Sequence, residues 1–479
     1  MGGGGSGLSA AVEAAKLGSS VLLVDKLANI GGATGMSVGT ISAAGTALQA
    51  AAGIDDDTDT HLKDYLKLIP SGKTSSDYDL ELTRLLIESA PGVLDHMTSL
   101  GLQYTGPHPE PPHSVPRMHS LAPESTAYIS TLRAEAEGAG VSIRTRVRMV
   151  ELTKEGPDEV SGAVLVDLAS GKRVHVRARK GIVLAAGYFS ANQILARRYG
   201  RPRELDSADS LPPHATGDGI VAATAIGAEV AGMDGGSSLS FRTPYPPYVR
   251  PEPSLFNAGA ILVNSEGQRF SNELSSPEVE AAQQPSGASF IIFDTALAEQ
   301  IASPDEDSGP GRDGWHQHQK LFLSTFPGIA YAYIEDYRYK TSYFYESGTA
   351  QGLARLISIP HNALKKTLDT YNDFVRNNLS DPFGRPRPGA GLSKPPFYAI
   401  GPLRTSVSSG GGLKVDTRMR VLDKSGTPIS RLFAAGINAA SNTFIAGHGH
   451  ALVWAFATGQ IAGKNAATIP SHTLGDQGN

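Results

Sequence analysis

The chain has 479 residues, a formal net charge of −5 and 40% hydrophobic residues, enough for more than one folding unit at roughly 100–200 residues per domain. It contains no cysteine, which excludes disulfides, thiolate metal ligands, cysteine nucleophiles and thioether-linked haem, so any redox chemistry has to come from a bound cofactor. The charge balance gives no basic face for nucleic acid, no apolar run reaches the ~20 residues of a membrane span, and no secretory signal is present, so the expected compartment is the cytoplasm.

The chain opens on Met-Gly-Gly-Gly-Gly-Ser-Gly, a G-x-G-x-x-G at Gly2, Gly4 and Gly7 with Ser6 inside it. Such a turn follows a buried strand and opens a helix, and its backbone approaches a dinucleotide pyrophosphate. No sequence precedes it to form that strand, so a first strand is expected to be missing. Leu8–Leu17 is Ala-rich and helical in propensity, Gly18 ends it, and Val21–Val24 reads as a buried parallel strand. Asp25 follows 18 residues after Gly7 (25 − 7), near the ~20 expected of the acid that binds a ribose hydroxyl, with Lys26 beside it. A second Gly-rich loop runs from Gly31-Gly32-Ala33-Thr34 to Gly39-Thr40, where backbone approaches a ring or a phosphate.

Helical patterns follow at 61–68, 80–90 and 92–100, with Pro91 expected to separate the last two. Residues 125–139 read as helix, and 142–150, 161–166 and 174–179 as strands. Gly181–Gly187 is a buried strand ending in the small residues Ala185, Ala186 and Gly187, and Leu432–Gly436 repeats that design. The two suggest one sheet assembled from distant segments. Residues 241–352 have a different composition and read as an insertion, which leaves 1–240 and 353–479 as the two parts of the dinucleotide-binding unit. A helix is expected near 364–377 and a frayed tail after Ile469.

These motifs, with Thr216-Gly217-Asp218-Gly219, Gly259–Asn264, Gly267–Glu273, Lys394–Tyr398 and Gly411–Asp416, resemble the flavoprotein family of fumarate reductases, succinate dehydrogenases, urocanate reductases and 3-ketosteroid Δ1-dehydrogenases over nearly the whole chain. The resemblance implies an α/β fold: a Rossmann-like FAD-binding domain with an inserted α+β capping domain. It implies non-covalent FAD, with Asp25 on the adenosine ribose, Val147 presenting backbone to the adenine, Gly39 and Thr40 near the flavin, and Asp218 at the ribityl or pyrophosphate region. Gly32, Ala33, Thr34, Lys26, Ala186, Gly187 and Gly436 join the cofactor set. Ala451 and Leu452 start a helix whose N–H groups point at the flavin pyrimidine oxygen, where a helix dipole favours negative charge. The family's Ala-Ala-Gly-Glu is Ala434-Ala435-Gly436-Ile437 here, so Asn438 is the candidate stand-in for that carboxylate.

Fumarate-reducing members grip a dicarboxylate with histidines and arginines. By resemblance one histidine is kept as His119, whereas Phe256, Ser408 and Ala446 replace an arginine, a histidine and a second arginine. An Arg–carboxylate grip lost in this way leaves charge uncompensated, which argues for an uncharged or singly charged carbonyl compound. Ketosteroid-dehydrogenating members use tyrosines and a Gly-rich segment; Gly447-His448-Gly449-His450 resembles that segment, but Ile445 and the stretch Leu274-Ser275-Ser276 lack the tyrosines. The candidate catalytic set is therefore His119, His448, His450 and Ser408, imidazoles being suited to hold an oxygen or carry a proton near neutral pH. Arg242, Tyr245, Tyr248, Arg250 and the tyrosines 331, 333, 337, 339, 343 and 345 are further candidates in the insertion, packing being the competing explanation for each. His316 and His318 have no carboxylate cluster at helical spacing, and no metal is assigned. The expected activity is hydride transfer between flavin N5 and a carbon–carbon bond beside a carbonyl, with a small-molecule carbonyl substrate and an unidentified electron donor or acceptor. The alternatives are a fumarate-type enoate reductase with a rearranged grip, or a truncated flavin-binding protein without turnover.

Overall fold

The computed structural model describes residues 1–471 except 38, 111, 123–124, 157–158, 234–237, 243–253, 276, 303–341, 387–388 and 390. His316, His318, Tyr245, Tyr248, Arg250 and the tyrosines from 331 to 339 lie outside the described residues.

Two apolar cores organise the chain. The first is built on the helix Gly5–Lys16, which buries Leu8, Ala11 and Val12. Its small residues let it lie directly on the last helix, His450–Thr468. The approach is so close that a Cβ on Gly463 would stand 2.2 Å from the Ala10 carbonyl oxygen. Leu22–Val24 pairs in parallel with Ser142–Arg144, and Ile182–Leu184 pairs in parallel with Pro428–Ala434, with Leu432 opposite Ile182. The two repeated small-residue strands are thus neighbours in one sheet. Between Val24 and Val183 run Met1 and Gly2: Gly2 N–H donates to Val24 O (2.8 Å), the Met1 amine to Val183 O (2.9 Å), and Ala185 N–H to Met1 O (2.8 Å). Behind Met1 and Gly2 is a surface groove lined by Val21–Leu23 and Gly181–Val183.

Two local expectations change. Leu80–Ser99 is one helix with Pro91 inside it. Proline removes a bond and costs about 3 kcal/mol in a helix interior, but Leu82, Leu86, Ile87, Ala90, Val93, Leu94 and Met97 all bury on one face, and that packing outweighs the loss. The strand expected at 142–150 is two strands, Ser142–Arg144 and Val147–Glu155, because Arg146 takes a left-handed φ of 56° and turns the chain between them.

The second core surrounds a six-stranded sheet. Its long strand, Phe397–Ser408, pairs with Ser289–Asp294, Phe344–Ser347, Ser238–Arg242 and Asp209–Ser210. Apolar residues from Phe241 to Leu403 fill this core, including Leu353, Leu364, Leu368 and Tyr371. The helix His361–Arg376 therefore packs into the second core, although its sequence follows the composition break at 352. Its stripe of Leu364, Leu368 and Tyr371 finds its apolar partner on the second sheet, and burial rather than composition decides where it belongs. No helix among the described residues is long and apolar enough to cross a membrane.

Candidate active site

A groove runs over the first core, floored by the opening Gly-rich turn. Gly2, Gly4 and Ser6 line it, and so do Gly32, Ala33 and Thr34 from the second Gly loop. The turn is closed by backbone. A Cβ on Gly7 would lie 1.8 Å from Gly2 O, and one on Gly2 would lie 2.2 Å from Ala185 O. Gly5 N–H donates to Thr34 Oγ1 (3.2 Å), which fastens the two loops together. The first turn of Gly5–Lys16 carries no acidic residue, so its positive end is open to an anion. A bare, backbone-lined cradle at a helix N-terminus fits a pyrophosphate.

Asp25 lies in the groove, and its side chain first of all shapes the turn: Oδ2 accepts from Gly3 N–H (2.7 Å) and Oδ1 from Leu27 N–H (2.8 Å). Each oxygen keeps a second lone pair for a diol. Lys26 does not offer a spare charge. Its Nζ bonds Asp218 Oδ2 at 2.9 Å and Thr216 Oγ1, while Arg148 holds Asp218 Oδ1 at 2.7 Å. Burial opposes the Asp218 charge, but these two cations outweigh it and hold the carboxyl below its usual range. Asp218 thereby ties three segments along the groove wall, with Val147 next to Arg148.

At the far end the groove is lined by Ala186, Gly187, Gly436, Ile437, Ala451 and Leu452. Asn438, the candidate stand-in for the missing carboxylate, is fully buried beneath it. Its Oδ1 accepts from Ala186 N–H (2.6 Å) and its Nδ2 donates to Gly187 O (3.0 Å), so its amide clamps backbone and Ile437 is the residue in the groove. Gly39 O accepts from Tyr128 OH (2.9 Å), and Thr40 starts a strand paired with Met118–Ala122. The groove lining also includes Tyr188, Pro212 and His214, which the motif reading passed over because nothing in their local spacing marks them.

The four candidate catalytic residues occupy different surroundings. His119 is fully buried, its Nδ1 against Ile41 O (3.3 Å) and Nε2 against Thr46 Oγ1 (3.0 Å); burial pushes it down to about 4. His450 is also fully buried, and burial pushes it down to about 3. It packs against Tyr65 with ring centres 4.3 Å apart and ring planes 39° apart. Ser408 ends the long strand of the second sheet, opposite Ser238. His448 is different: its side chain is 24% exposed and its Nδ1 lies 2.6 Å from Glu110 Oε1, which also accepts the His448 N–H at 3.0 Å. Burial opposes the Glu110 charge, but the His448 bonds outweigh it and hold the carboxyl down to about 2. An ionised Glu110 accepts from His448 Nδ1 and so fixes the orientation of the ring. Glu110 sits in a Pro- and His-rich loop with no helical or strand period, so its pairing with a residue 338 positions away is invisible locally.

Phe256 and Ala446 are the residues read in the sequence as replacing two arginines. Phe256 packs against Phe241 in the second core, ring centres 6.4 Å apart, and Ala446 N–H is held by Tyr65 OH (2.8 Å).

A family model described as "FAD binding domain" matches residues 1–449. A probable fumarate reductase of Shewanella frigidimarina is 29% identical over 98% of this chain and 74% of its own length. Among solved structures, the open conformation of a flavocytochrome c3 fumarate reductase matches with a TM-score of 0.81 at 27% identity, covering 97% of this chain and 77% of that one. A 3-ketosteroid Δ1-dehydrogenase from Sterolibacterium denitrificans, at 24% identity and TM-score 0.69 over 97% and 98% of the two chains, shares the fold. This chain therefore belongs to the FAD-binding-domain family and is a flavin-dependent oxidoreductase.

Proposed function

We propose that the chain interconverts C–C and C=C beside the carbonyl of an uncharged or singly charged compound, an enone or ketone rather than a dicarboxylate. The observation that carries this reading is the replacement of three grip positions by Phe256, Ser408 and Ala446, none of which can pair a carboxylate. FAD, when bound, supplies the hydride chemistry at the flavin. Gly2, Gly4, Gly7 and Asp25 would hold its adenosine and pyrophosphate, and Ala451 and Leu452 its ring end. His448 carries the proton to or from the carbon next to the one that exchanges hydride. Glu110 acts through His448 as a positioning residue, setting its ring orientation.

Anaerobic flavin spectra with a panel of cyclic enones, ketosteroids and unsaturated acids test the substrate class. Bleaching or reoxidation by a neutral carbonyl compound is the expected result, and rapid turnover of fumarate by the reduced protein would show the argument from the three replacements to be wrong. Glu110→Gln is expected to lower kcat by about 10²-fold while flavin occupancy and KM stay close to wild type. An unchanged kcat would remove Glu110 and His448 from the proton path.

A further inference from the structure

At the start of the last helix three imidazoles converge. His61 comes from the helix Thr58–Tyr65, His113 from the loop after Glu110, and His450 from the first residue of His450–Thr468. One nitrogen of each lies within 4.8 Å of the other two. His61 Nε2 and His450 Nε2 meet head to head at 3.1 Å. The ring centres are 5.3 Å apart for His61 and His450, 5.4 Å for His61 and His113, and 6.0 Å for His113 and His450. Imidazoles bound at about 2.0–2.1 Å around one zinc-sized ion have nitrogens about 3.3 Å apart and ring centres about 5.2–5.6 Å apart. The His61–His450 pair already meets that spacing, and His113 needs to move inward by no more than about 1.5 Å.

The polar groups of the cluster are incompletely used. His113 Nε2 is buried without a hydrogen-bond partner, a situation that costs about 1–3 kcal/mol when nothing else binds there. Glu110 Oε2 is likewise buried and unpartnered. It borders the cluster, since Glu110 Oε1 and His450 Nδ1 both lie within 4 Å of the point where a Cβ on Gly447 would stand. One contact opposes ligation: Arg117 Nη1 lies 3.1 Å from His113 Nδ1. Arg117 is held far more firmly elsewhere, by Asp56 at 2.6 and 2.7 Å and by Asp64 at 2.7 Å. Releasing His113 leaves the guanidinium anchored, and His113 is half-buried and on a loop, so it is the ligand free to turn.

We propose that His61, His113 and His450 form a binding site for a single late first-row divalent cation of the zinc type, bound through imidazole nitrogens. Imidazole donors with no thiolate favour Zn, Cu, Ni or Co over Mg or Ca. The ion would staple the helix of His61 and the loop of His113 to the N-terminus of the last helix. It takes no part in the carbonyl chemistry proposed above, and its test does not depend on it.

The purified flavoprotein is loaded with Zn²⁺ or Co²⁺, gel-filtered, and its metal counted by mass spectrometry, with visible Co²⁺ bands reporting nitrogen ligation. The expected result is about one retained equivalent, with affinity reduced at least tenfold in His61→Gln and in His113→Ala and unchanged in His175→Ala, an exposed control. Flavin occupancy and circular dichroism of the variants establish that they fold. Retention by wild type no greater than by folded His61→Gln and His113→Ala overturns the site.

Discussion

Gly7→Ala yields a folded protein that no longer retains FAD through gel filtration. The added Cβ would stand 1.8 Å from Gly2 O and 3.4 Å from Ala185 Cβ. The first obstacle is backbone, and it belongs to Gly2, whose N–H holds the turn against Val24 O. No rotamer relieves it, so the turn opens and the helix N-terminus moves off the pyrophosphate position. The measurement is the flavin-to-protein absorbance ratio after desalting, and the expected loss is at least ~100-fold in affinity, about 3 kcal/mol. Gly92→Ala, whose Cβ meets nothing within 4 Å, is the control and retains flavin. Full occupancy in Gly7→Ala would mean that the groove is not where the pyrophosphate binds.

Glu273→Ala is expected to cost about 3–5 kcal/mol of stability. Glu273 is fully buried between two guanidiniums, Arg269 at 2.8 Å and Arg385 at 3.2 Å, and it also accepts from Leu262 N–H at 3.1 Å. Arg269 retains Asp381 at 2.7 Å, but among the described residues Arg385 retains the carbonyls of Ala260 and Phe256 and no carboxylate. Removing the carboxylate therefore strands a buried cation beside the strand Ile261–Asn264. The readout is a thermal midpoint lower by roughly 10 °C, with exposure of the second core followed by fluorescence. A change below about 2 °C would show the network to be exposed in solution.

The cofactor class was readable because its motif is local. The turn Gly2–Gly7, the helix after it and Asp25 lie within a single run of sequence, and sterics there admit few residues. Membership of the second core was less readable, since composition changes at 352 while apolar packing continues to Leu403. Pro91 was misjudged for a related reason: a local breaker yields to a helix face buried along its whole length. The histidines show the limit most clearly. His119, His448 and His450 look alike in the chain, yet two are enclosed and depressed by burial, and one is half-exposed and oriented by Glu110.

The sequence by itself determined the α/β class and FAD as cofactor, because the Gly-rich turn and Asp25 depend on residue identity at short spacing. The tertiary structure alone decided that Asn438 clamps backbone while Ile437 faces the groove, that Glu110 holds His448, and that His61, His113 and His450 meet. Each of those contacts joins segments tens to hundreds of residues apart, and only the packing of two cores fixes which distant side chains share a dry site.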